Sequence, residues 1–120
     1  MSNKFESLSL QNIRKEFPGV LALDNVSLKA EAGKVHALMG ENGAGKSTLI
    51  KILSGAYTKD AGNILFNGKE INITSPNDSL NYGIKVVYQE ISLIPEFTVG
   101  ENIFLEKFPL NRLGAIDWKK

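Results

Sequence analysis

Eight consecutive residues, Gly40-Glu-Asn-Gly-Ala-Gly45-Lys46-Ser47, constrain this chain more than anything else in it. They satisfy the spacing G-x-x-x-x-G-K-[ST], which is the pattern of a phosphate-binding loop. Three glycines in the six residues 40–45 let the backbone take positive φ and come close to an anion. Successive N–H groups then form an anion-binding nest through Gly40, Glu41, Asn42, Gly43, Ala44 and Gly45. A helix starting near Lys46 aims its positive end at the same point. In such a loop Lys46 reaches the β- and γ-phosphates and the Ser47 hydroxyl is placed to ligate Mg²⁺. Thr48, one residue on, is placed for an α-phosphate.

The motif needs a strand before it and a helix after it, and the flanking pattern supplies both. Val35 to Met39 is a nearly continuous apolar run broken only by His36, as expected of a strand buried on both faces. After Lys46, apolar residues at 49, 50, 52 and 53 give helical spacing, with Gly55 as a C-cap. Upstream, residues 7–17 and Leu23 to Ala30 alternate as strands around the turn signal Pro18-Gly19. Ala32-Gly33-Lys34 reads as a further turn. Gly62–Phe66 and Glu70–Ile73 flank Asn67-Gly68, a strong hairpin dipeptide. Ser75-Pro76 predicts a helix start, with an end near Tyr82 and a stop at Gly83. Ile84 to Tyr88 is expected to be another strand. Thr98-Val-Gly-Glu101 is a capping box, which predicts a helix to about Glu106. Pro109 and Gly114 then break structure.

Composition narrows the function classes. Lys and Arg number 14 against 13 Asp and Glu, a formal net charge of +1. That balance argues against a broad basic face for nucleic acid. Cysteine is absent, so disulfides, thiolate metal sites and cysteine nucleophiles are excluded. No apolar run approaches the roughly 18 residues of a membrane span, and the first 15 residues lack a secretory apolar core. A soluble, cytoplasmic, globular chain is expected. There is no internal repeat and no linker-like stretch, so residues 1–120 are treated as one unit.

The wording of several segments resembles the ATP-binding domains of ABC transporters. Gly40 to Thr48 resembles their phosphate loop. Asp24-Asn25-Val26-Ser27-Leu28, Gly33-Lys34, Leu53-Ser54-Gly55, Gly62 to Lys69, Val86-Val87-Tyr88-Gln89-Glu90 and Val99 to Ile103 follow in the family's order. Phe-Pro-Gly-Val-Leu-Ala-Leu at 17–23, Gly83-Ile84 and Ile116-Asp117-Trp118 are similar to the first nucleotide-binding domain of ribose/galactose/xylose-type sugar importers. The resemblance covers nearly the whole chain. It implies an α/β fold, a P-loop NTPase (ABC ATPase) core with an antiparallel β-subdomain at 7–30 and 62–73, and an incomplete, N-terminal portion of such a domain. It implies ATP and Mg²⁺ as cofactors, Phe17 as the aromatic that stacks on adenine, and Gln89 as the glutamine that senses the γ-phosphate and metal. An amide suits that role because it donates and accepts at once. It further implies transmembrane permease subunits, a second nucleotide-binding domain, an indirect link to a periplasmic or extracellular sugar-binding protein, no nucleic acid, and a peripheral position on the cytoplasmic face of the membrane.

Some family features are missing from these 120 residues: a Walker B aspartate with its glutamate, a Leu-Ser-Gly-Gly-Gln loop and a switch histidine. Val20-Leu-Ala-Leu-Asp24 imitates the first, but Asn25 follows it and it precedes the phosphate loop. Leu53-Ser-Gly-Ala-Tyr57 imitates the second, but a helix C-cap explains it. His36 reads as a packed or edge histidine. The 120-residue piece is therefore expected to bind nucleotide weakly, to hydrolyse it negligibly, and to aggregate through exposed edges. Other readings of the loop are a soluble ABC ATPase, a P-loop kinase, or a nucleotide-binding module without catalysis.

Overall fold

The computed structural model describes residues 4–90, 92–105, 110 and 112–116. Alternation of apolar and polar residues makes two long strands, β1 (Ser7–Phe17) and β2 (Val20–Glu31), joined at Pro18-Gly19. A helix α1 follows at Lys46–Leu53, then β3 (Ala61–Phe66), β4 (Lys69–Ile71) and helix α2 (Pro76–Asn81). The four strands form one antiparallel sheet in the order β2-β1-β3-β4. This is the β-subdomain expected at 7–30 and 62–73.

Pairing of Leu10 with Leu28 and Ile64, and of Ile13 with Val26, sets the register. β1 bulges between Leu10 and Lys15, where Asn12 sits at φ 54°; Asn25 on β2 sits at φ 55°. Asparagine tolerates the left-handed region that most residues avoid. The sheet turns Leu10, Ile13, Leu23 and Ile64 inward against Leu49, Ile52 and Leu53 of α1, with Ile73 closing the cluster. Each such side chain contributes roughly 1.5–3 kcal/mol by leaving water.

Local chemistry fixes the ends. Asn67 (φ 51°) and Gly68 (φ 77°) make the hairpin turn. The Asn67 side chain also accepts the N–H groups of Glu6 (2.7 Å) and Ser7 (3.1 Å), tying the N-terminal segment to this corner. The Ser75 hydroxyl accepts the Asp78 N–H, and Asp78 accepts the Ser75 N–H at 3.0 Å, a complete capping box. Gly83 (φ 79°) follows α2. Ser79, 2% exposed, donates its hydroxyl to the Leu53 carbonyl at 2.7 Å, which joins α2 to the end of α1.

Two expected strands do not form. Val35–Met39 and Ile84–Tyr88 lie outside regular structure, and Val35, Met39 and Val87 are almost wholly exposed. An apolar run becomes a strand only when its peptide groups find a partner. Among the described residues neither run joins a sheet ladder, and the Ile84 N–H donates to the Ser79 carbonyl at 3.1 Å. His36, read as packed or edge, is exposed, and its Nε2 accepts the Glu31 N–H at 3.0 Å.

The described residues fall into two compact units, divided at Val86/Val87. The second holds helix α3 (Val99–Ile103), capped as expected: Thr98 accepts the Glu101 N–H at 3.2 Å and Glu101 accepts the Thr98 N–H at 2.7 Å. The Asn102 amide accepts the Ile94 N–H at 2.9 Å and donates to the Ile94, Phe97 and Thr98 carbonyls, folding 94–98 back on α3. Gly114 (φ 79°) lies between the bridged residues Leu110 and Ile116. Glu106, Pro109, Asp117 and Trp118 lie outside the described residues.

Three carboxylates are held below their ordinary range. For Asp78 the main cause is the Thr74 N–H, for Asp60 the Glu16 N–H, and for Glu31 the Lys34 ammonium. A lowered folded value means that the stability each contributes is fully present above its ordinary value. That contribution is lost as pH falls through the lowered one. Acid titration followed by circular dichroism should therefore show stability falling below about pH 4. Asp60→Asn and Asp78→Asn should each flatten that limb.

Candidate functional site

The loop 40–45 connects the exposed run 35–39 to α1. Gly43 takes φ 87° and Gly45, the N-cap of α1, takes φ 95°. The Ala44 N–H donates to the Glu41 carbonyl at 3.1 Å, which closes the loop into a tight turn. A Cβ on Gly45 would lie 2.6 Å from Leu23 Cδ2 and 2.7 Å from the Ala22 carbonyl oxygen. The loop can therefore seat against β2 only with glycine there.

α1 begins with no side-chain cap and no acidic residue in its first turn. Its first backbone bond runs from the Leu49 N–H to the Gly45 carbonyl at 2.9 Å, so the N–H groups ahead of Leu49 have no helical acceptor. Lys46 folds back across the loop and donates from Nζ to the carbonyls of Gly40 and, at 2.9 Å, Glu41. Its ammonium therefore sits at the mouth of the nest. Ser47 is exposed on the first turn and Thr48 half-buried beside it. Glycine-rich loop, uncapped helix end, one ammonium and one exposed hydroxyl are brought together here. The Ser47 hydroxyl is an oxygen donor of the kind that suits Mg²⁺.

Phe17 ends β1 in the same unit and is half-buried. Its ring meets Tyr57 edge to face, with centroids 5.2 Å apart and planes at 69°. Lys15 Nζ lies 5.2 Å from the Phe17 centroid, and Lys51 Nζ lies 5.2 Å from that of Tyr57. Sequence reasoning missed Tyr57. Its contact with Phe17 joins distant parts of the chain, and no local spacing signals it. Gln89 and Glu90 lie in an exposed bend of the second unit.

The C-cap reading of Leu53-Ser-Gly-Ala-Tyr57 holds, and Asp24 is part of β2. Asp24 is exposed on β2 and accepts from Arg14 at 3.1 Å. Ser54 is the C-cap of α1 and Gly55, at φ 78°, follows it. Among the described residues no cluster of three or more His, Asp or Glu side chains is grouped to hold a metal.

A glycine nest closed by a lysine, on a helix packed against β strands, defines a P-loop nucleotide-binding protein. The family model of ABC transporters matches residues 23–120, and the chain belongs to that family. It is 56% identical over its whole length to the ribose import ATP-binding protein RbsA 1 of Streptomyces avermitilis, of which it covers 23%. Over 112 residues it is 54% identical to the arabinose import ATP-binding protein AraG of Yersinia pestis, covering 93% of this chain and 21% of that one. The chain thus spans about a fifth of the length of these curated relatives. Among solved structures, a nucleotide-free ATP-binding cassette from an ABC transporter matches with TM-score 0.75 and 38% identity, over 83% of this chain and 40% of that one. A bacterial Atm1-family ABC exporter with ATP bound matches with TM-score 0.74 and 27% identity, over 94% and 20%.

Proposed function

We propose that these residues are the N-terminal portion of the first nucleotide-binding domain of a sugar-import ATPase. The full-length protein binds MgATP and hydrolyses it to drive sugar through membrane-spanning permease partners. The observation that carries this reading is the loop 40–45, with Lys46 Nζ on its carbonyls and Gly45 seated on β2. The import function named for the ribose and arabinose relatives supports the sugar class and disfavours a soluble ABC ATPase.

In this reading the backbone of Gly40, Glu41, Asn42, Gly43, Ala44 and Gly45 cradles the phosphates. Lys46 neutralises the β- and γ-phosphates, Thr48 meets the α-phosphate and Phe17 stacks on adenine. Ser47 would hold Mg²⁺, which supplies charge neutralisation when bound, and Gln89 of the second unit keeps the γ-phosphate-sensing role that the resemblance implies. Partners are the permease, a second nucleotide-binding domain and, indirectly, an extracytoplasmic sugar-binding protein. The protein sits peripherally on the cytoplasmic face of the membrane. Among the described residues no helix is long and apolar enough to cross it.

Steady-state ATP hydrolysis tests this. The full-length protein reconstituted with its permease should turn ATP over in response to a sugar-loaded binding protein. The 120-residue piece should turn over negligibly, because its sequence carries no Walker B aspartate with a following glutamate to serve as general base. Turnover by the piece near that of the intact transporter, abolished by Lys46→Ala, would overturn the division of labour proposed here.

A further inference from the structure

We infer that Tyr57 is a positioning residue for Phe17, fixing the ring on which the nucleotide base stacks and tying it to the phosphate-binding helix. This rests on the adenine-stacking reading of Phe17. Four contacts converge on the last residues of β1, all from the segment that follows α1. The Tyr57 ring meets the Phe17 ring edge to face at 5.2 Å. The Asp60 carboxylate accepts the Glu16 N–H at 2.7 Å and the Lys15 ammonium at 3.1 Å. The Asp60 N–H donates to the Arg14 carbonyl at 2.9 Å. Side chain and backbone around Phe17 are thus both held from 57–60.

The same segment is anchored to α1. The Tyr57 N–H donates to the Lys51 carbonyl at 3.1 Å, and Lys51 Nζ lies over the Tyr57 ring. Lys46, Ser47 and Thr48 stand at the other end of that eight-residue helix. One rigid element therefore carries the phosphate contacts at its start and, through Tyr57, the base-stacking ring at its end. A ring held before the base arrives loses less freedom on binding, which raises affinity without a new ligand contact. Edge-to-face pairs favour this geometry over a parallel sandwich.

The test compares ATP with inorganic tripolyphosphate, which has the phosphates and no base, by equilibrium titration of the full-length protein. Phe17→Ala should weaken ATP about ten- to a hundredfold and leave tripolyphosphate unchanged. Tyr57→Leu, and Tyr57→Met with an unbranched side chain, should weaken ATP about three- to tenfold, again with tripolyphosphate unchanged. Tyr57→Phe keeps the ring and should behave as wild type. The Phe17→Ala, Tyr57→Leu double variant should bind ATP no more weakly than Phe17→Ala alone. Unchanged tripolyphosphate binding also reports an intact loop and fold. Wild-type ATP affinity in both Tyr57 variants, with Phe17→Ala impaired, would overturn the inference and leave the stacking reading standing. Equal loss of both ligands in the Tyr57 variants would also overturn it, by making Tyr57 a general structural residue. Wild-type ATP affinity in Phe17→Ala would overturn the stacking reading itself.

Discussion

Lys46→Ala in the full-length protein should lower ATP turnover by about 10²–10³-fold while leaving the fold intact. The ammonium stands at the mouth of the loop on the Gly40 and Glu41 carbonyls, where incoming phosphate oxygens would take over those bonds. A charged hydrogen bond contributes about 1.5–3 kcal/mol, so nucleotide affinity should fall roughly ten- to a hundredfold. Turnover falls further because charge moves onto the phosphate oxygens in the transition state. The core takes no part in this loss. Leu49, Ile52 and Leu53 carry the buried face of α1, and Lys46 is only half-buried at its first position. Thermal unfolding without nucleotide should shift by no more than about 0.5 kcal/mol. Lys46→Arg should not restore activity, because a planar fork does not replace a compact ammonium in a tight nest. Turnover at the wild-type level in Lys46→Ala would remove the loop from the mechanism.

The features readable from the sequence are those whose physics is local. Ser75 and Thr98 cap their own helices within three residues. Asn67-Gly68 carries its own positive φ, and the phosphate loop carries its glycines. Alternation along β1 and β2 needs only each other's edges. Val35–Met39 and Ile84–Tyr88 failed as strands for the complementary reason. An apolar run states that burial is wanted but not what provides it, and Val35 and Val87 stay exposed. The bulges of β1 carried no glycine signal, because asparagine takes the left-handed turn at position 12. Tyr57 and Asp60 escaped sequence reading because their partners on β1 are far away in the chain. At the site, then, the loop residues 40–45 and Lys46 were visible in the sequence, and the contact of Tyr57 with Phe17 was not.

Gly45→Ala should be the most damaging single-methyl change at the site. At φ 95° a residue with a Cβ is strained, at a cost of about 1–2 kcal/mol. The new methyl would stand 2.6 Å from Leu23 Cδ2 and 2.7 Å from the Ala22 carbonyl oxygen. Neither neighbour yields easily. Leu23 is 2% exposed in the core, and Ala22 is backbone within β2. Overpacking of this kind adds about 1–3 kcal/mol, so a total near 3 kcal/mol is expected in denaturant unfolding. Gly43→Ala is the matched control, since φ is 87° there but nothing lies within 4 Å of the added atom. It should cost the strain alone. Nucleotide affinity should separate the two variants further, because displacing Gly45 swings the start of α1 and its free N–H groups away from the phosphates. Equal losses of stability and affinity in the two variants would mean that the seat on β2 does not hold the loop. A larger loss at Gly45 would mean that the antiparallel sheet, through the seat it gives Gly45, sets where α1 begins.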